Sequence, residues 1–393
     1  MNDYLTTLNK DNCCGCRACE SICPVNAITM QSDVQGFLYP IISTDKCINC
    51  NMCHSICKFA NTDNENVTTV NSYAARHNNG DVIENSSSGG VFTALSDVVL
   101  KNSGVVFGHI FDDNFNLKCV ATVSSDVRDK MRQSKYIQSD MKDVYPQIKK
   151  YLSEGRTVLF SGTPCQCAQV NSMYGNYENL ITVDFVCHGT PSPGIFKDYI
   201  NWLSTHFKDK LSFFNFRFKI TNSSSQTVYA KFNKIIYVMP SGKDIFFKLF
   251  LNDVIFRHSC YNCKYTKLKR YSDITIGDYH SVKKVNPEFN TKNGVSMIIV
   301  NSEKGKTLLD KVNDLYFEKS DITKVLQPQL KHPAKRPTKY DIFWNEYYKN
   351  GFVSASQKLY DCMPLLEKII QTEKLLNTLH IFTPLLKLIK NLK

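Results

Sequence analysis

Two runs of four cysteines, Cys13, Cys16, Cys19 and Cys23 and then Cys47, Cys50, Cys53 and Cys57, share the spacing C-x2-C-x2-C-x3-C. No other feature constrains the fold as strongly. A loop this tight wraps three corners of one cuboidal iron–sulfur cluster, while the fourth thiolate, on the next helical turn, points to a neighbouring cube. Residues 1–62 are therefore expected to form a small ferredoxin-like domain holding two 4Fe–4S clusters. One takes Cys13, Cys16, Cys19 and Cys57; the other takes Cys47, Cys50, Cys53 and Cys23. Gly15 suits backbone that passes close to sulfide. Zinc ribbons present paired C-x2-C units rather than two four-cysteine runs with crossed ligation. Pro24 follows the first run, Lys58 stands where a proline would follow the second, and Cys14 reads as a bystander.

The chain has 16 cysteines and begins with no basic stretch leading into an apolar one, which points to thiol chemistry in a reducing, cytoplasmic setting. No apolar run approaches the roughly 18 residues of a spanning helix. The net charge is +12, yet residues 1–62 hold five acids and four bases, so the excess lies in the rest. No helix-turn-helix, zinc-finger or RNA-binding signature accompanies it, which argues against nucleic acid. Anionic cofactors, an acidic partner or a membrane surface account for it better.

Residues 63–80 are polar and read as a linker, after which strands and amphipathic helices alternate. Strands are expected over 105–112, 118–123, 157–161, 180–187, 273–277 and 295–301, and helices over 141–152, 165–173 and 193–206. This is an α+β or α/β pattern with a mixed sheet. Ser86-Ser-Ser-Gly-Gly90 precedes an apolar helical face. A serine-capped N-terminus there suits a pyrophosphate, and an ordinary capped helix fits equally well. Ser161-Gly-Thr-Pro-Cys165 and Cys187-His-Gly-Thr-Pro-Ser192 each follow a strand, where α/β folds bind ligands. Cys260 and Cys263 form a C-x2-C knuckle in a basic stretch. Together with Cys165 and Cys187 they make a candidate third cluster or a zinc site.

The segments SSSGGVFTAL, VVFGHIFDD, SKYIQS, VLFSGTPCQ, TVDFVCHGTPSP, FRFK, SCYNCKY and DITIGDY resemble, in order, the coenzyme F420 hydrogenase/dehydrogenase beta-subunit family. The resemblance runs over about residues 80–317. It implies a flavin-binding domain divided at 81–155 and 156–320, FAD, and a third 4Fe–4S cluster on Cys165, Cys187, Cys260 and Cys263. By the same resemblance Ser88, Gly89 and Gly90 meet the pyrophosphate. Ser134, Lys135 and Tyr136 lie near the ring, with Lys135 supplying positive charge, and Thr163, His188 and Gly189 are further contacts. Cys167 stands where the family has an aliphatic residue and competes as a ligand. Tyr279 and His280 replace a common aromatic pair.

The implied activity is an oxidoreductase that passes electrons between a ferredoxin-like carrier and FAD, with hydride exchange to a small substrate such as coenzyme F420. The alternative is an electron-transfer subunit of a larger redox complex, inactive alone. No acid, base or nucleophile stands out as catalytic, and His188 is the candidate proton donor. Residues 321–393 read as an extended basic connector and a helical tail. The tail is expected to be broken at Pro384 and to pack on the body or touch a membrane surface weakly.

Overall fold

In the computed structural model, which describes residues 3–60, 71–219 and 227–360, eight strands form one mixed sheet. Their spatial order is Leu315–Ser320, Asn71–His77, Ser296–Val300, Ile274–Asp278, Leu180–Phe185, Val158–Gly162, Val105–Phe111 and Leu117–Thr122. The four strands Ile274–Asp278, Leu180–Phe185, Val158–Gly162 and Val105–Phe111 run parallel; the flanking pairs are antiparallel. Val158–Gly162 is buried throughout, as a strand covered on both faces must be. Helices Val91–Lys101 and Glu303–Asp310 supply Leu95, Val99, Leu308 and Leu309 to the core on one face. Helices Val144–Ser153 and Pro164–Tyr174 supply Ile148, Leu152 and Val170 to another core. Val105–Phe111 and Leu117–Thr122 form a hairpin whose turn is closed by Asp112, whose carboxylate accepts the amides of Asn114 and Asn116 at 3.0 and 2.9 Å.

A second sheet of three antiparallel strands, Leu211–Phe218, Thr227–Phe232 and Ile236–Pro240, packs through an aromatic core. Phe196, Tyr199, Phe214, Phe216, Phe246 and Trp344 meet there, brought by helices Pro193–Phe207, Ile245–Leu251 and Lys339–Leu359. Residues 3–60 form the small N-terminal unit: hairpin Ile28–Ser32 with Leu38–Ile42, and the short helices Ala18–Ile22 and Met52–Ser55, which pack together.

Three expectations change. The supposed linker over 63–80 yields strand Asn71–His77 in the large sheet, where Ala74 and Ala75 are fully buried. Its small buried side chains hide the strand in a polar stretch. The helix after the serine–glycine run is capped by Gly90 (φ 84°) and not by a serine, because Ser88 donates to the Val295 carbonyl at 2.8 Å. Within the supposed connector and tail, Lys339–Leu359 is a helix whose Tyr340, Phe343 and Trp344 enter the aromatic core. The tail expected over 364–393 lies outside the described residues. Among the described residues no helix is long and apolar enough to cross a membrane.

Candidate functional site

The carboxyl ends of the four parallel strands open into a cavity of about 440 Å³, the place where ligands bind in such sheets. Ser88, Gly90, Ser134, Lys135, Tyr136, Thr163, His188 and Gly189 line it. Gly89 does not. Its amide is taken by the Ser296 hydroxyl at 2.9 Å, and a Cβ there would stand 2.6 Å from the Ala75 carbonyl oxygen, so packing accounts for this glycine. Lys135 is half-buried, with its ammonium turned onto the carbonyls of Met131, Arg132 and Gln133 at 3.3, 2.8 and 3.3 Å. Burial brings its pKa down to about 7, so at neutral pH it is not the fixed cation that the sequence suggests. His188 sets Nε2 against the Asp253 carboxylate at 2.9 Å and its ring edge-on to Phe250 and Phe256.

Residues that the sequence did not single out complete the wall. Arg217 forms an ion pair with Asp278 at 2.7 Å and also meets Tyr136. Both ring nitrogens of His109 and Nε of Arg217 are buried there without a hydrogen-bond partner. Burial, with Lys135 second, lowers His109 to about 4 and keeps it neutral. Orphaned polar atoms lining a roomy cavity fit a polar ligand such as a flavin. The only sequence signal for Arg217 was its place in FRFK. His109 had none beyond the VVFGHIFDD segment.

The thiols fall into groups. Burial first, and then the charges of Cys16, Cys13 and Cys57, push Cys19 well up; Cys57 is raised to about 12 by burial and by Cys16 and Cys13. The structure thus brings Cys57 to Cys13, Cys16 and Cys19 across 38 or more positions of sequence. Cys187 is likewise raised by burial and by Cys260, Cys165 and Cys263. In the exposed group, Cys53 is raised by burial and by Cys50 and Cys47. Cys23 closes helix Ala18–Ile22, beside helix Met52–Ser55 that carries Cys53. Crowded thiols that oppose one another's ionisation suit a metal centre that neutralises them. Among the described residues no set of three or more His, Cys, Asp or Glu is arranged to hold a single metal ion. The cuboidal cluster, whose thiolates stand apart around its corners, fits these groups better.

Two details correct the sequence reading. Cys167 is wholly buried in apolar packing with its thiol toward the Gly162 carbonyl, 3.7 Å away, so it takes no place on the cavity wall. Cys14 is no bystander: it packs near Cys165 and lines both the large cavity and a small one of about 40 Å³ beside Cys13, Cys16, Cys19 and Cys57. Its nearness lowers Cys16 to about 7 and lowers Cys165. The missing proline at 58 also has a reason. Lys58 donates its backbone N–H to Gln169 Oε1 at 3.0 Å, while Gln169 Nε2 donates to the Ile56 carbonyl at 2.8 Å. Proline has no N–H to give.

Fold and site together define an iron–sulfur electron-transfer protein of the oxidoreductase class. Residues 12–61 match the 4Fe-4S dicluster domain, and residues 155–325 match the C-terminal part of the coenzyme F420 hydrogenase/dehydrogenase beta subunit. The main body is thus similar to the coenzyme F420 hydrogenase/dehydrogenase beta-subunit family over residues 155–325, with a dicluster ferredoxin-type domain in front of it. A chain in the F420-reducing [NiFe] hydrogenase complex from Methanosarcina barkeri aligns at 16% identity with a TM-score of 0.45, covering 74% of this chain and 90% of that one. No curated protein matches.

Proposed function

We propose that the chain passes electrons between a ferredoxin-like carrier or redox partner subunit and FAD held in the large cavity, for hydride exchange with a small substrate such as coenzyme F420. The observation that carries this reading is the line of thiols from the N-terminal unit to the cavity wall. Cys13, Cys16, Cys19 and Cys57 line one small cavity with Cys14, and Cys14 also lines the large cavity with Cys165 and Cys187, which group with Cys260 and Cys263. Each group would hold one 4Fe–4S cluster, and Cys23, Cys47, Cys50 and Cys53 the outermost one. Clusters supply single-electron carriage, and FAD supplies the exchange between one- and two-electron chemistry.

The chain's own residues provide placement. Gly90, Ser88 and Thr163 lie on the cavity wall at the starts of helices Val91–Lys101 and Pro164–Tyr174, positions suited to phosphate oxygens. Tyr136, set by Arg217, and His109 offer polar contacts to a ring. His188, held through Nε2 on Asp253, is placed to carry a proton at the wall. A second reading, an electron-transfer subunit that acts only inside a larger complex, is favoured by the match to a beta-subunit family.

Anaerobic purification with iron, sulfide and flavin assays tests the cofactor set. About 12 iron atoms and one FAD per chain are expected for three cubes; about eight iron atoms without flavin contradicts the flavin and third-cluster assignments. Turnover of the isolated chain with coenzyme F420 or a nicotinamide separates the two readings.

A further inference from the structure

Arg257 lies between two of the thiol groups and is 1% exposed. Its backbone belongs to the Cys260 side: its N–H donates to the Thr190 carbonyl at 3.0 Å, its carbonyl accepts the Cys260 N–H at 2.9 Å, and the Thr190 N–H points to Cys260 Sγ at 3.3 Å. Its side chain crosses to the N-terminal unit. Nε donates to the Cys13 carbonyl at 2.6 Å, and Nη2 to the Leu38 carbonyl at 2.9 Å and to Cys13 Sγ at 3.3 Å. Nη1 donates to Gln138 Oε1 at 3.0 Å, and Gln138 Nε2 donates in turn to the Cys14 carbonyl at 2.9 Å. The guanidinium also lies 4.0 Å from the Tyr39 ring centroid. Gly15 (φ 70°) admits this clamp, because a Cβ there would stand 2.4 Å from Gln138 Nε2 and 2.9 Å from Arg257 Nη1.

The Arg257 side chain bonds only carbonyl oxygens and one sulfur; no carboxylate pairs with it among the described residues. An arginine keeps its charge when buried, and a buried charge needs an opposite one nearby. Among the groups its guanidinium bonds, only the thiolate of Cys13 can supply that charge. Hydrogen bonds to cluster sulfurs and nearby charge set a cluster's reduction potential. Each added electron makes a thiolate-bound cluster more negative, so a fixed guanidinium at Cys13 favours the reduced form.

Resting on the cluster assignment above, we propose that Arg257 is the counter-ion of the cluster on Cys13, Cys16, Cys19 and Cys57. It raises that cluster's potential so that an electron entering the N-terminal unit settles on the cube next to the main body. No comparable buried arginine bonds Cys47, Cys50 or Cys53 among the described residues, so the outer cube lacks this bias. Arg257 acts through the cluster's sulfur shell as a positioning and potential-setting residue.

The test is an EPR-monitored redox titration of the full chain, parent against R257Q and R257K, with iron and sulfide measured on each sample. In R257Q, at least a tenfold fall in the reduction equilibrium of one N-terminal cluster is expected, which is about 59 mV for a one-electron couple. The other couples stay put, and R257K falls between. Full iron content with every couple within threefold of the parent overturns the proposal and leaves the cluster assignment intact. Absence of iron and sulfide from the parent overturns the assignment itself. If R257Q loses iron, R257K decides: a lowered couple supports the proposal, while an unchanged couple or lost iron overturns it in favour of a purely mechanical clamp.

Discussion

The two cysteine runs have the same spacing and opposite surroundings. The first lies against the main body: Cys13, Cys14 and Cys16 meet Arg257, Gln138 and Tyr145, whose hydroxyl donates to the Cys16 carbonyl at 2.9 Å. The second faces outward, with Cys50 exposed and Ile48 and Met52 60% and 41% exposed beside it. On the proposed ligation, spacing decides which thiolates share a cube, while packing leaves the first run insulated and the second open to solvent. Solvent exposure and hydrogen bonds to sulfur are the variables that separate two otherwise identical clusters.

Removing one ligand from each run is the hardest test of this contrast. C57S should cost the inner cube, about four of the iron atoms, and should stop reduction of any flavin by an external one-electron donor. C50S should remove only the outer cube, leaving the inner one to be reduced slowly by small donors. Iron analysis and stopped-flow reduction read both. Equal effects from the two variants would break the distinction between inner and outer.

The contact between the units gives a smaller effect. Arg17, about one-tenth exposed, bonds both Glu20 and the Asp140 carboxylate of the main body. R17A should lower the stability of the folded chain by roughly 2 kcal/mol, seen as a lower unfolding midpoint, whereas a lysine-to-alanine change at exposed Lys46 should do nothing measurable. Smaller again is K58P. Although it supplies the proline usual after such a run, it removes the N–H accepted by Gln169 and should cost about 1 kcal/mol. A gain in stability would refute the Gln169 explanation.

Lys135 sharpens the comparison by pH. Its folded pKa, about 7, lies below the ordinary 10.5, so between these values the unfolded chain binds more protons than the folded one. The cofactor-free protein should gain stability as pH rises from about 7 toward 10.5, and this part of the slope should vanish in K135M. A slope that is unchanged in K135M would contradict the buried position of the amine.

Much of the proposed ligand set is legible in the sequence because short-range spacing encodes it. A C-x2-C-x2-C-x3-C run states its own chemistry, and the strand ends at Gly162 and Phe185 were visible as apolar runs followed by turn residues. Long-range features were hidden. Asn71–His77 carries little hydrophobic signal and becomes a strand only between partners from residues 296–320. Cys14 looked idle because its second neighbour, Cys165, is about 150 residues away. Arg257 looked like one base in a basic stretch, and only the packing shows that it is buried and aimed at Cys13. Gly89 misled in the other direction, since a glycine beside a helix start suits close packing as readily as phosphate.

The central claim is that three thiol groups hold clusters close enough to form one path to the cavity. Low-temperature EPR of the dithionite-reduced full chain addresses it most directly. The account predicts broadened, mutually interacting signals from neighbouring clusters, which simplify when C57S removes the middle of the path. A spectrum with no cluster signal, or with independent signals that C57S leaves unchanged, would contradict it.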